Sequence, residues 1–344
     1  GDRMEERREV IGASVKRVDA FDKVTGYAKY TDDLCDKGAY IAKILHSTVA
    51  NGRVTSIDAD EARKIPGVIK VVTCFDVPKN YFPTAGHPWS TQESHQDVAD
   101  RHLLNRHVRY YGDDVAVVIA ENEVAAMQGV RALQVEYEEL PAVFDPLEAM
   151  KPEAPAVHPC FIGNNIAGMA KLPMGDLEKG FAESDIILEE QFKLPVAKHC
   201  QLETQAAVAD YSASGHLTVW STTQSPHPLK NLLAKLFGMP ASRVRVLNPP
   251  YIGGAFGSHV GMSGKAEPIA AALAMLAGKP VRFVYDRKED FIASTTRHSG
   301  YITVKLGAKR DGSFQALYLN AVLNTGGYAN AGPDVTAVLG VTNI

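Results

Sequence analysis

Six consecutive residues, Val115-Ala-Val-Val-Ile-Ala120, carry no polar side chain. An extended segment of that kind has to be covered on both faces. The chain must therefore supply layers above and below one sheet. Helical material follows at once: Glu121 to about Leu133 repeats Ala, Met and Val at helical spacing. Upstream, Ala39 to Ser47, Val54 to Ile57 and Val68 to Cys74 are rich in β-branched and aromatic residues and read as strands. Asp58 is placed to cap a short helix through about Ile65, which Pro66-Gly67 stops. Gln134 to Tyr137 adds a short strand. This first half alternates strands and helices.

A boundary follows near residue 150. Glu138 to about Pro159 holds Pro141, Pro146, Pro152, Pro155 and Pro159 and reads as an extended crossing segment. The second half starts near Phe161. Asp176 caps a short helix, and Asp185 to Phe192 reads as a strand. Ala206–Tyr211 and His216–Thr222 form a strand pair around Ser212-Ala-Ser-Gly215. A helix from about Pro228 to Phe237 closes at Gly238. Val244 to Leu247 is a strand, Lys265 to Leu276 a helix ended by Gly278, and Val281 to Tyr285 a strand. Ile302–Leu306 and Phe314–Leu323 pair around Asp311-Gly312. The fold class expected is α+β, divided at residues 1–150 and 151–344.

Bulk properties narrow the function. With 22% charged residues and a net charge of -4, the chain has no electrostatic footprint for nucleic acid or an anionic membrane. No apolar run approaches the roughly 20 residues that span a bilayer. The charged start, Gly1-Asp-Arg-Met-Glu-Glu-Arg-Arg, lacks the apolar core of a secretory signal. Met4 reads as a native start, and the expected location is cytoplasmic. Cys35, Cys74, Cys160 and Cys200 lie far apart, so no close pair suggests zinc or an iron–sulfur cluster. No histidine pair has ligand spacing, and no metal-ligating side chain is named.

Two motifs carry chemistry. Gly253-Gly-Ala-Phe-Gly257 lets backbone approach a ligand closely. Its N–H groups suit a phosphate or an oxo group. No Gly-Lys-Ser/Thr closes it, so it is not a Walker loop, and it is not the Gly-x-Gly-x-x-Gly dinucleotide fingerprint. The other motif, Thr222-Thr-Gln224-Ser-Pro-His227, leaves a strand and enters a helix, where Gln224 can offer an amide to a ligand. Taken alone, each also reads as an ordinary turn.

In order along the chain, the two motifs resemble the large molybdopterin-binding subunit of the xanthine dehydrogenase family. That family includes aldehyde oxidoreductases, nicotinate dehydrogenase and the aerobic carbon monoxide dehydrogenases. Val18-Asp-Ala-Phe-Asp-Lys-Val-Thr-Gly26 looks like its opening segment. Val108-Arg-Tyr-Tyr-Gly112-Asp-Asp and Val135-Glu-Tyr-Glu-Glu-Leu-Pro look like its α/β hammerhead domain. Asp286-Arg-Lys-Glu-Asp, Arg297-His298 and Asn324-Thr-Gly-Gly-Tyr328 look like landmarks of its first molybdopterin-binding domain, present here incompletely.

The resemblance implies a role for each matched residue. Gln224 would lie beside the molybdenum ligands. Gly253, Gly254 and Ala255 would pass the cofactor, Phe256 would bring its backbone near the metal, and Gly257 follows. It also implies molybdenum on molybdopterin in the cytosine dinucleotide form. Two-iron, two-sulfur clusters and FAD would sit on partner subunits, with further molybdopterin domains completing the site. The implied reaction is hydroxylation of an aldehyde, purine or other N-heteroaromatic, with water as oxygen source. The family's catalytic glutamate lies beyond Ile344, so no catalytic residue is named and the isolated chain should be inactive. Glu203 reads as structural. Val260 and Val338 stand near positions where purine-oxidising members carry a glutamate and an arginine, which suits a less polar substrate. A different reading keeps the turn for a nucleotide, or the fold as a scaffold without metal.

Overall fold

The computed structural model describes residues 11–34, 38–85, 97–158, 165–262 and 264–341. Met4, Cys35, Cys160 and Phe161 lie outside them. The largest sheet joins β1 (Tyr40–His46), β3 (Val68–Thr73) and β5 (Asp114–Ala120) to β8 (Ala206–Tyr211), β9 (Leu217–Ser221), β10 (Val244–Leu247) and β11 (Val281–Val284). Its strand order is β10-β9-β8-β11-β1-β5-β3. Strands from both sides of the expected boundary therefore share one sheet. The seam is β1 against β11, parallel, with Tyr40 opposite Val281. β5 is buried at all seven positions, the both-faced burial its composition demands.

Helices cover this sheet. α2 (Asp60–Lys64) and α3 (Glu123–Ala132) lie over β1, β3 and β5. α3 comes so close that a Cβ on Gly129 would sit 2.7 Å from Val118 Cγ1. α7 (Ala266–Ala277) packs its small residues on β8 and β11, and α6 (Pro226–Leu236) packs on β10. β2 (Gly52–Asp58), β4 (His107–Val108) and β6 (Gln134–Glu139) form a small antiparallel sheet. β7 (Ile186–Leu194), β12 (Ser299–Ala308) and β13 (Phe314–Asn324) form a third. α5 (Leu177–Ala182) packs on β13, capped by Asp176 as expected.

Several elements depart from expectation. The proline-rich crossing segment holds a helical turn, α4 (Pro146–Ala149). Asp145 caps it by accepting from Leu147 and Glu148, and Pro146 needs no amide in that first turn. α6 begins at Pro226 rather than Pro228 for the same reason. Asp58 bonds Asp60 N, but the cap residue is Ala59, one position on. Three helices went unread: α1 (Ala20–Thr25), α8 (Arg287–Ala293) and α9 (Gly332–Val341). α8 carries a full capping box between Asp286 and Glu289.

A buried ionic cluster fastens the early strands to the later helices. Lys265 Nζ lies 2.7 Å from Asp114 Oδ2, both side chains being almost fully buried. The same ammonium donates to His102 O and Leu103 O. Beside it, Asp113 accepts from Asn105, from Arg109 N and from Tyr328 OH. Burial pulls the Asp114 carboxyl upward, but Lys265 and His46 outweigh it and hold it below the carboxylate range.

Candidate functional site

The site is built where two parallel strands end together. β9 and β10 run in parallel register, so the segments leaving Ser221 and Leu247 emerge on the same edge. Loops at the carboxyl ends of such strands are where open sheets bind ligands. Hydroxyls and one amide fix the exit of β9. Ser221 Oγ donates to Glu267 Oε1 at 2.6 Å and accepts from Thr223 N. Thr223 Oγ1 accepts from Ser225 N, and Asn248 Nδ2 donates to Thr223 O at 2.6 Å. Asn248, which follows β10, thus ties the two exits together.

Gln224 sits on that edge, exposed. Its backbone N donates to His259 O at 2.8 Å, and its Oε1 accepts from Gly257 N at 2.9 Å. Gln224 and the glycine-rich turn are thus brought together by direct hydrogen bonds. The amide Nε2 has no partner among the described residues and stands free to donate.

The turn itself is tightly determined. Gly254 has φ +95° and Phe256 φ +55°, both in the left-handed region. That conformation is uncommon for a phenylalanine and has to be held by its surroundings. Arg297 Nη2 donates to Phe256 O at 3.2 Å, while the ring stands 63% exposed. Ala255 is buried, and its carbonyl accepts from Ser258 N. Gln205 Nε2 secures Ser258 O at 2.9 Å. On the opposite side, Gly253 N donates to Glu203 Oε2 at 2.7 Å. Among the described residues, no acceptor faces the N–H groups of Gly254, Ala255 and Phe256. Three consecutive amides without a partner, on half-buried Gly254, buried Ala255 and exposed Phe256, are donors of the kind that oxo or phosphate oxygens accept from.

Neighbouring histidines play other parts. His259 is 2% exposed, and burial pushes its imidazole down to about 4, so it is neutral at pH 7. It faces Gln201, whose Nε2 also donates to both oxygens of Asp290. That arrangement makes it a core residue rather than one presented to a ligand. Burial also lowers the His199 imidazole, which lies beside Gly257. His227 is exposed in the first turn of α6. Among the described residues, no group of three His, Cys, Asp or Glu side chains is placed to hold a metal ion. Sequence reasoning missed Arg297, Gln205 and Asn248, whose partners are 25 to 53 residues away.

A mixed sheet with a glycine-rich turn at the ends of two parallel strands has the form of a ligand-binding site, and similarity to known proteins gives its class. The family described as "Molybdopterin cofactor-binding domain" matches residues 157–343. The one described as "Aldehyde oxidase and xanthine dehydrogenase, a/b hammerhead domain" matches residues 25–141. The chain belongs to the molybdopterin-binding large-subunit family of xanthine dehydrogenases and aldehyde oxidases. It is 36% identical to a xanthine dehydrogenase molybdenum-binding subunit of Escherichia coli O157:H7, over 94% of this chain and 42% of the relative. It is 32% identical to the nicotinate dehydrogenase large molybdopterin subunit of Eubacterium barkeri, over 95% of this chain and 73% of that one. Aldehyde oxidoreductase of Desulfovibrio gigas superposes with a TM-score of 0.82 at 27% identity, over 93% of this chain and 35% of that one. The chain spans about two-fifths of the length of the Escherichia coli relative.

Proposed function

We propose that this chain forms one wall of a molybdenum–pterin site in a hydroxylase that oxidises an aldehyde, purine or other N-heteroaromatic. The observation that carries this reading is the cradle of free amides at Gly254, Ala255 and Phe256, with Gln224 Nε2 beside it. Such donors suit the anionic and oxo oxygens of a molybdopterin cofactor. When bound, the cofactor supplies the two-electron oxidation, with water as the oxygen source. Gln224 would orient its oxygens, Gly254 and Phe256 would offer their backbone, Gly257 keeps the amide that fixes Gln224, and Gly253 lets Glu203 pack against the turn. These contacts position the group without ligating the metal through side chains. The family resemblance is what suggests the cytosine dinucleotide form of the cofactor.

Glu203 is not placed as a catalytic base, because both its oxygens are occupied by backbone amides. The base, the two-iron, two-sulfur clusters and FAD belong to further domains or partner subunits. Exposed Ile186, Leu188, Phe192 and Leu317 on one face of the β7–β12–β13 sheet suit such a partner. The test is a metal and pterin assay on the protein purified from its native host with its co-purifying chains. Molybdenum with an oxidised pterin fluorophore supports the reading. A plain nucleotide, or neither group in an intact complex, overturns it.

A further inference from the structure

Glu203 joins two parts of the chain that lie far apart. Its Oε2 accepts Gly253 N–H at 2.7 Å, and its Oε1 accepts Thr31 N–H at 3.1 Å. Its own backbone N donates to Gly253 O at 3.3 Å. Gly253 is thus gripped on both polar groups by one residue. The approach is tight, since a Cβ at Gly253 would lie 2.6 Å from Glu203 Cβ.

The segment on the other side of the clamp bears on the same loop. Thr31 is fully buried and opens the 3₁₀ turn Thr31–Leu34. Its neighbour Asp32 pairs with Arg282 on β11. Tyr30 lies 6.4 Å, ring to ring, from Tyr251, and Tyr251 OH donates to Asp22. The loop entering the glycine-rich turn is therefore braced by residues 22–32 at three places.

We propose that Glu203 is the positioning residue of the glycine-rich turn, and that residues 22–32, clamped through it, are a working part of that site. This rests on the proposed cofactor role of the turn. The chemistry selects glutamate. A carboxylate accepts from two amides at once and donates to neither. Glutamine keeps one acceptor but turns an NH₂ toward the second amide. Alanine leaves both N–H groups without a partner in a half-buried site. Burial raises the Glu203 carboxyl, so the protein holds it there against the desolvation it suffers. The amide contacts offset part of that cost.

The test uses the complete complex, with wild type compared to Glu203→Gln and Glu203→Ala. Two readouts are taken: hydrogen exchange of peptides covering 29–33 and 251–258, and molybdenum and pterin content. Expected for Glu203→Ala is about tenfold faster exchange at both peptides, an unchanged β5, and cofactor content down at least fivefold. Glu203→Gln falls between, a graded rescue that loss of packing would not give. Unchanged exchange at both peptides overturns the clamp. If Glu203→Ala loosens β5 as well, Glu203→Gln decides, and wild-type exchange there also overturns it. Faster exchange at both peptides with full cofactor content upholds the clamp and instead overturns the cofactor role of the turn.

Discussion

Lys265→Ala removes the ammonium that reaches the buried Asp114 carboxylate. In the folded protein that ammonium makes a 2.7 Å ion pair and two further hydrogen bonds, at 3.0 and 3.2 Å, to the carbonyls of His102 and Leu103. Lys265 is 1% exposed and Asp114 also 1% exposed, so water cannot replace what is lost. His46 Nδ1, at 3.3 Å, is the partner left to the carboxylate. Stranding one member of such a pair costs about 3–5 kcal/mol. The two carbonyls lose a donor as well, so the upper part of that range is expected. Urea unfolding followed by circular dichroism measures it directly. Removing both charges, as Lys265→Met with Asp114→Asn, should destabilise by less than the sum of the two single changes. A loss under about 1 kcal/mol for Lys265→Ala, or a strictly additive double variant, would refute the claim that this pair fastens the early strands to α7.

Gly254→Val places a branched side chain at φ +95°, 3.2 Å from the Phe256 ring; molybdenum and pterin content of the complex should collapse while its melting temperature moves by only a few degrees. Gly112→Ala should cost about 3 kcal/mol or more in chemical denaturation, because φ is +110° and the new Cβ would lie 2.3 Å from Ile292 O. Burial pushes His107, His158 and His259 down to about 4 from an ordinary 6.5. For these three groups the unfolded chain binds more protons between those values than the folded one, so their contribution to stability rises with pH; it opposes that of Asp100, Glu267 and Asp334, whose carboxyls burial raises to about 6, 7 and 7. Melting temperatures of wild type and His259→Gln at pH 7 and pH 5 check this: the variant should lose less stability than wild type on acidification, and an equal loss would refute the histidine contribution.

What the sequence disclosed was local. The β8–β9 hairpin, the Asp176 cap and the Gly278 stop all act within a few residues of themselves, and each stands where its residue type requires. The both-faced burial of β5 was legible because composition alone dictates it. The β1–β11 seam was not, since it pairs residues 241 positions apart whose side chains carry no mark of their partner. α9 stayed hidden because Gly332-Pro-Asp334 gives a start but the residues after it lack polar periodicity. At the site, the glycines and Gln224 were visible as types suited to a ligand. Glu203 and Arg297 were not readable as supports, because what they hold lies 50 and 41 residues away. Pattern identifies residues able to face a ligand, and tertiary contact decides which of them are held in place to do so.

The most direct test of the central claim is an experimental structure of the cofactor-loaded complex. The account predicts pterin or oxo oxygens about 3 Å from Gln224 Nε2 and from the amides of Gly254, Ala255 and Phe256. A cofactor seated elsewhere, with those donors facing solvent, would contradict it.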